Sequence, residues 1–139
     1  MNCHDIESYP IKILEHHLDA YGHVNNVAYI GFLEQARWEF ITSRGCGLDF
    51  VRSSYVGPVV LELQTKFKKE LRLRQEVLIK SQIESWRGKV GVMRQWFECN
   101  AGIVYCEARV TLGLFDLKRR KLVVPDDHWS KALLKAPTS

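Results

Sequence analysis

The chain has 139 residues, of which 46% are hydrophobic and 26% are charged, and its formal net charge is +4. This length and balance are typical of a globular protein with one core, so we treat residues 1–139 as a single domain. The mild positive charge favours an anionic ligand, but no nucleic-acid-binding motif accompanies it, and no nucleic-acid partner is expected.

The first predicted strand lies near the N-terminus. Every second residue from Tyr9 to Ile13 is apolar, which is the period of a strand with one buried face, and we place this strand over 9–18. The polar residues before it, 1–7, are expected to be loose, as are the last residues, 136–139.

One long helical pattern dominates the first half of the chain. Asn25 and Asn26 precede it, and asparagine is a preferred N-cap because its side-chain oxygen accepts a free N–H of the first turn. Gly45 follows the last periodic residue and predicts the end of the helix. The apolar residues cover more than half of the helical circumference, which predicts a helix wrapped by other elements. They are Val27, Tyr29, Ile30, Leu33, Ala36, Trp38, Phe40 and Ile41.

Four long strands follow almost without interruption. Apolar and polar residues alternate in each of them, and short turns join the last three, so antiparallel pairing with one solvated face is expected. Strands of about ten residues are long enough to curve around a single helix. The four predicted strands span 59–69, 76–86, 90–99 and 103–115.

The remaining segments are predicted to be connections and one short helix. Residues 46–57 are expected to be irregular, and 116–121 form a basic turn. Asp126 or Asp127 is placed to cap a short helix that runs through Leu134.

Together these elements predict an α+β protein with the hotdog fold, in which a long curved antiparallel sheet of about five strands wraps around one central helix. The segment from Asp19 to Tyr29 reads D-x-x-G-H-V-N-N-x-x-Y. It resembles the motif of the 4-hydroxybenzoyl-CoA thioesterase family of acyl-CoA thioesterases, and the resemblance covers roughly the whole chain. It implies hydrolysis of an acyl- or aryl-CoA thioester to the free acid and CoA, without naming the acyl group.

The resemblance makes Asp19 the catalytic carboxylate, either as nucleophile or as general base for water. No serine lies in a G-x-S-x-G context, and no cysteine has an obvious paired histidine. A second interpretation stays open, in which Asp19 only caps the turn before Gly22. The family's oxyanion hole uses a backbone N–H at the start of this helix, which maps to Asn26. Gly22, Asn25 and Tyr29 are expected to contact the substrate.

His23 has two interpretations: it contacts the thioester or orients Asp19, or it is simply hydrogen-bonded at the helix entrance. His16 and His17 are nearby, but adjacent residues on a strand point to opposite faces, and no H-E-x-x-H motif is present. No metal site is therefore expected, and no cofactor beyond the CoA that belongs to the substrate.

Glu34 and Arg37 lie inside the apolar arc of the predicted helix. They are three residues apart, so we expect them to pair across one turn, as buried charges require. Some hotdog enzymes use a helix carboxylate as the catalyst, which makes Glu34 the reserve candidate.

Arg87 and Lys89 lie in a predicted hairpin, and the family uses basic residues of this hairpin to meet the phosphates of coenzyme A. Gly88 departs from family members with three consecutive basic residues. The basic residues 119–121 are a second candidate cluster, for which a solvated turn is a nearly equal interpretation.

The open edges of an antiparallel sheet need a cover, and hotdog proteins pair two subunits with active sites between protomers. We therefore expect a homodimer or homotetramer with an acyl-CoA substrate. An acyl-carrier-protein thioesterase and a non-catalytic acyl-CoA-binding protein stay open as alternatives. The hotdog hydratase motif D-x-N-x-x-H is not matched.

Two observations concern localisation. No apolar run approaches ~20 residues and no secretion signal is recognisable, so neither membrane association nor export is expected. The four cysteines show no C-x-x-C spacing and are expected to be reduced thiols. The sequence thus predicts a cytoplasmic protein.

Overall fold

The computed structural model describes residues 5–134, which form six strands, three α-helices and one 3₁₀ turn. The strands are β1 (Glu7–Lys12), β2 (Val56–Phe67), β3 (Glu76–Arg87), β4 (Val90–Glu98), β5 (Val104–Asp116) and β6 (Lys121–Val123). The helices are α1 (Asn26–Thr42), α2 (Leu48–Ser54) and α3 (Asp127–Leu133), and the 3₁₀ turn is Glu15–His17.

The strands form one antiparallel sheet in the order β1-β3-β4-β5-β2, and the short β6 pairs with the end of β5. Helix α1 lies against one face of this sheet, where it contacts β1 and β3. The predicted hotdog arrangement is confirmed, with a short sixth strand added. None of the helices described between residues 5 and 134 combines the length and apolar character that a membrane crossing requires.

Helix α1 begins and ends where the sequence predicted. Asn25 is its N-cap, and Gly45, at φ +82°, lies in the left-handed turn that follows its last residue. The side of α1 that faces the sheet is buried, as expected from its wide apolar arc. Val27 departs from the prediction, because its side chain is 76% exposed. The buried residues of α1 are Tyr29, Leu33, Ala36, Phe40 and Ile41.

The side chains of β4 alternate between the core and the opposite face of the sheet, and one of the core-facing side chains is polar. Met93 and Phe97 lie in the core, and Trp96 lies on the opposite face, where its Nε1 donates to Glu98. Between the two core residues, on the same face, lies the fully buried Gln95. A polar side chain at such a position must find hydrogen-bond partners inside the protein.

Gln95 finds three partners and thereby connects the sheet to the centre of α1. Its Nε2 donates to the Leu33 carbonyl oxygen and to Ser81 Oγ, both at 3.0 Å. Its Oε1 accepts from Nη1 of Arg37, also at 3.0 Å. The side-chain amide therefore satisfies a buried hydroxyl and holds a guanidinium at the helix surface.

Several local predictions are wrong. The predicted strand over 9–18 is shorter, and it already begins at Glu7 within the segment expected to be loose. His16 and His17 lie in the 3₁₀ turn with ring centroids 4.0 Å apart, rather than on opposite faces of a strand.

The segment 46–57 was expected to be irregular but contains α2. Asp49 lies in the first turn of this helix, where its negative charge interacts favourably with the positive end of the helix dipole. Val51 is buried, and the Phe50 ring stacks on His128 with centroids 4.2 Å apart. Tertiary packing thus stabilises a helix too short to be stable alone.

The cysteines of the described chain are free thiols. Burial raises the pKa of Cys46 to about 11 and that of Cys106 to about 12, so both stay protonated at neutral pH and act as small core residues. Cys3, one of the four cysteines, and residues 136–139, which were predicted to be loose, lie outside the described residues.

We expect the Gln95→Met variant to lower the free energy of unfolding by about 1–3 kcal/mol, because Ser81 and Arg37 lose a buried partner while the core volume is kept. Chemical denaturation measures this change. Gln64→Met places the same substitution on an exposed position of β2 and should change stability by less than about 0.5 kcal/mol. Equal effects in the two variants would contradict the role given to Gln95.

Candidate active site

The loop before α1 is closed on itself by backbone hydrogen bonds. Leu18 and Val24 form an isolated antiparallel bridge. Inside it, the Asp19 N–H donates to the His23 carbonyl oxygen at 2.8 Å, and the Gly22 N–H donates to the Asp19 carbonyl oxygen at 3.1 Å. Gly22 has φ +78°, a left-handed conformation that glycine adopts without strain. These bonds hold residues 19–23 as a tight, ordered turn.

The carboxylate of Asp19 is only partly used by this turn. Its Oδ1 accepts from the backbone N–H groups of Tyr21 and His23, at 2.9 and 3.1 Å. Its Oδ2 has no hydrogen-bond partner within the described part of the chain, and the residue is half-buried. The turn-capping interpretation of Asp19 is therefore correct for one oxygen, while the second oxygen is available for chemistry.

The start of α1 presents one unpartnered backbone donor. The cap oxygen Oδ1 of Asn25 accepts from the Val27 N–H at 2.8 Å, and its carbonyl oxygen accepts from Ala28 and Tyr29. The N–H of Asn26 has no partner among the described residues. It lies at the positive end of a 17-residue helix, a position that stabilises negative charge.

A cleft of about 290 Å³ opens at this helix start. Three predicted site residues, His23, Asn26 and Tyr29, line it. Gly22, Asn25 and Asp19 do not line it, although Gly22 directly precedes His23 and Asn25 directly precedes Asn26 in the chain. The remaining lining residues are Val24, Phe67, Lys68, Lys69 and Glu70.

The sequence reasoning missed the far wall of this cleft, which is formed by the end of β2 and the residues after it. The available signal was the basic run KFKK at the end of the predicted strand 59–69. Its Lys66 and Lys68 occupy polar positions in the alternation of that strand. Its position beside Asn26 follows from the pairing of β2 with β5, which the local pattern does not specify.

His23 faces this far wall rather than the Asp19 carboxylate. Its Nε2 lies 3.4 Å from Oε1 of Glu70, and 58% of its side chain is exposed. Its link to Asp19 runs through the backbone only. The imidazole is therefore free to contact a bound substrate but does not orient the carboxylate in this state.

Tyr29 forms the floor of the cleft. The residue is 5% exposed, and its ring packs edge-on against Phe67 and Phe97, with centroids 5.0 and 5.5 Å away. Burial raises the pKa of its phenol, so the hydroxyl stays neutral at physiological pH. Tyr29 therefore contributes shape and a hydroxyl, not a charge.

Arg87 and Lys89 lie at the opposite end of the sheet from Asn26. Lys89 directly precedes Val90, the first residue of β4, whereas Phe97 of the same strand packs against Tyr29 in the first turn of α1. Seven residues of strand separate these two points, which is about 23 Å at ~3.3 Å per residue. One chain alone does not bring the hairpin and the helix start together.

The predicted ion pair between Glu34 and Arg37 is wrong, because Glu34 is exposed and Arg37 instead donates to Gln95. Burial lowers the pKa of Arg37, and the charge of Glu34 opposes this effect from a distance. Both residues border a cavity of about 90 Å³ against the second half of α1. The tryptophans Trp38 and Trp86 also line it.

Within residues 5–134, no group of three histidine, cysteine, aspartate or glutamate side chains is placed to bind a metal ion. His17 uses its Nδ1 to accept from the Leu14 N–H at 2.8 Å, and burial lowers its pKa. The chemistry available at the helix start is thus that of a carboxylate, an imidazole and backbone donors.

Comparison with known proteins agrees with this architecture. The model of the thioesterase-like superfamily matches residues 14–133. The long-chain acyl-CoA thioesterase FadM of Escherichia coli K12 is 31% identical over 112 residues, which are 80% of this chain and 84% of FadM. The chloroplast acyl-acyl carrier protein thioesterase ATL3 of Arabidopsis thaliana is 32% identical over 80 residues, 58% of this chain and 40% of ATL3. The crystal structure of the probable thioesterase YbaW from E. coli superposes with a TM-score of 0.80 at 28% identity, covering 91% of this chain and 95% of that one.

A helix held against an antiparallel sheet, together with these matches, defines a hotdog-fold thioester hydrolase. The chain belongs to the thioesterase-like superfamily.

Proposed function

We propose that this thioester hydrolase cleaves acyl-CoA to the free acid and CoA, with Asp19 as nucleophile or general base and the Asn26 N–H as oxyanion donor. The observation that carries the proposal is the unpartnered N–H of Asn26 at the start of α1, which follows a loop whose Asp19 carboxylate has one free oxygen. The similarity to FadM supports acyl-CoA as the substrate class.

The two groups have complementary tasks in acyl transfer. Attack on the thioester carbon moves charge onto the carbonyl oxygen, which a backbone N–H at the positive end of a helix stabilises. Oδ2 of Asp19 either attacks the carbon to give a mixed anhydride or removes a proton from an attacking water. In both cases the thiolate of CoA leaves and takes up a proton. On the first route water then hydrolyses the mixed anhydride, which releases the free acid and restores Asp19, and neither route uses a metal or cofactor.

The other motif residues support this arrangement. Gly22 lets the loop turn tightly enough to place Asp19 at the helix start, and Asn25 fixes the first turn by capping Val27. His23 and Tyr29 line the cleft in which the thioester would lie, with the imidazole at the mouth and the phenol at the floor.

We also propose a homodimer or a dimer of dimers. Strand β2 lies at an edge of the sheet and carries the exposed apolar residues Val60, Leu61 and Phe67. The exposed Val27 adds apolar surface at the helix start. Unpaired edges and exposed apolar side chains favour pairing with a second copy. In such a dimer, the partner's Arg87 and the partner's Lys89 would approach the cleft. The hairpin of the same chain cannot do so, because it lies at the opposite end of the sheet.

An acyl-carrier-protein thioester is the second candidate substrate, which the similarity to ATL3 favours. A comparison of kcat/KM for the same acyl chain on CoA and on carrier protein distinguishes the two.

The acyl group would lie near the tryptophan-lined cavity beside α1, and a series of short, long and aromatic acyl-CoAs tests its size. The free thiols at Cys46, Cys99 and Cys106 support placing the enzyme in the reducing cytoplasm.

Asp19→Asn and Asp19→Ala separate the two roles of this residue. Asn keeps an oxygen that accepts from Tyr21 and His23 but removes the charge, so the loop should survive while kcat falls at least ~100-fold. Asp19→Ala should lose both the rate and some thermal stability. Steady-state kinetics and thermal unfolding measure the two effects. Near-native turnover of Asp19→Asn would refute the catalytic assignment and redirect attention to Glu34.

Asn26→Pro tests the proposed oxyanion donor without disturbing the helix. Proline is tolerated at the first helical position, and Asn25 already has the extended conformation (φ −64°, ψ 140°) that a following proline requires. Removing the N–H should lower kcat by about 10²–10³-fold. Asn26→Ala keeps the N–H and serves as the matched control. If the two variants hydrolyse acyl-CoA at equal rates, this N–H is not the donor.

Mixed dimers test whether the partner's hairpin serves the cleft. Arg87→Ala with Lys89→Ala should raise KM for acyl-CoA at low salt, because positive charges near phosphates are lost. After subunit exchange with Asp19→Ala chains, one site of each mixed dimer has an intact Asp19 and an intact partner hairpin. A component with the wild-type KM should therefore reappear. Its absence, or sedimentation of fully active protein as a monomer at micromolar concentration, contradicts the shared site.

A further inference from the structure

The active-site cleft continues into a second one along the connection between β2 and β3. This second cleft, the β2–β3 cleft, has a volume of about 420 Å³ and is lined by Lys69, Glu70, Arg72, Gln75 and Tyr105. Lys69 and Glu70 line both clefts. One surface depression therefore leads from the Asn26 N–H, where the thioester is proposed to react, to Arg72 and Tyr105.

Two cations in this depression carry unneutralised charge. Lys69 and Arg72 are exposed, and neither forms an ion pair with a carboxylate among residues 5–134. Two basic residues that flank them in the chain are in a different state, because each forms an ion pair. These pairs are Lys68 with Glu107 at 3.3 Å and Arg74 with Glu15 at 2.7 Å. The available positive charge is thus concentrated at Lys69 and Arg72.

Glu70 is the carboxylate of the same depression. It faces His23 at 3.4 Å, on the side of the reacting centre. The backbone after β2 is also fixed at this point, since the N–H groups of Lys68 and Lys69 both donate to the carbonyl oxygen of Tyr105, at 2.9 and 3.0 Å. The backbone at Lys69 is therefore anchored to β5 at Tyr105 rather than carried on a free loop.

This set of groups matches one end of the proposed substrate. Coenzyme A ends in an adenosine with a 3′-phosphate, separated from the thioester by the pantetheine arm and a diphosphate. A phosphate is recognised by lysine and arginine donors, and an aromatic ring offers a face on which a base can stack. Lys69, Arg72 and Tyr105 supply these three groups in one cleft that adjoins the cleft at the helix start.

We infer that the β2–β3 cleft binds the 3′-phosphoadenosine end of acyl-CoA, with Lys69 and Arg72 on the 3′-phosphate and the Tyr105 ring against the adenine. The inference rests on the proposed function and deepens it. The chain that supplies Asp19 and Asn26 would then also bind the nucleotide end of the same substrate molecule. The partner's Arg87 and Lys89 then remain for the diphosphate.

The test compares CoA with 3′-dephospho-CoA, which differ only in the phosphate assigned to this cleft. Calorimetry measures both dissociation constants without turnover, because CoA is the reaction product. Wild-type protein should bind CoA about three- to tenfold more tightly at low salt, as expected for exposed charge pairs, and this preference should shrink as salt rises. Lys69→Ala with Arg72→Ala should bind the two molecules equally.

A matched control removes two positive charges elsewhere. Arg52 on α2 and Lys131 on α3 are exposed and lie on elements that do not border either cleft. Arg52→Ala with Lys131→Ala has the same net charge as the cleft variant and should keep the preference for CoA. A loss of preference in both variants would indicate the overall field of the protein and overturn the inference.

Tyr105 is tested separately from the charges. Tyr105→Phe keeps the aromatic face and should bind CoA like the wild type, whereas Tyr105→Leu should weaken CoA and 3′-dephospho-CoA alike, because both contain adenine. Equal affinities of the Phe and Leu variants for CoA would exclude the ring from adenine binding.

Hydrolysis of an acyl-pantetheine, which lacks the nucleotide, separates failure of the inference from failure of the proposed function. Arg72→Ala, which changes no residue lining the active-site cleft, should hydrolyse it at the wild-type rate while its KM for acyl-CoA rises. Wild-type protein that hydrolyses neither thioester refutes the proposed function. Wild-type protein that hydrolyses both but shows no preference for CoA over 3′-dephospho-CoA refutes the inference alone.

Discussion

Helix α1 carries apolar side chains around more than half of its circumference, and one sheet can cover only part of it. The side with Leu33 and Phe40 is buried against the sheet, and the fully buried Gln95 connects the sheet to the helix centre by bonding the Leu33 carbonyl. Since the helix is held along its length, its first turn has a fixed position above the end of the sheet. The placement of the Asn26 N–H and of the loop with Asp19 depends on this burial.

Local patterns were sufficient for the elements that follow a simple period. The strand alternation predicted β2 to β5 within a few residues, and the asparagine and glycine signals gave the ends of α1 correctly, since capping depends on adjacent residues only. The same local chemistry offered Asp126 or Asp127 as the cap of α3, and in the structure the Asp126 carboxylate accepts from the Trp129 N–H. Recognition of the GHVNN motif then located the helix start as the candidate site.

Features that depend on distant partners were not predictable in this way. Gln95 is polar at a core position, and its burial makes sense only once Leu33, Ser81 and Arg37 are brought to it. Glu34 and Arg37 are a second example. Their spacing suggested an ion pair, but the guanidinium of Arg37 donates to Gln95 on β4. Lys69 reached the candidate site through the pairing of β2 with β5, which places residues about forty positions apart side by side.

The turn around Asp19 has a thermodynamic consequence for turnover. A free carboxylate rotates about its side-chain bonds, and a reaction that needs one orientation must restrict that rotation each time. Here two backbone N–H groups hold Oδ1, so the direction of Oδ2 is set by the folded chain before a substrate arrives. The loss of rotational entropy occurs once, during folding, and is not repeated in every catalytic cycle. The bonds typical of an ordinary turn residue thus preorganise the carboxylate that is proposed to react.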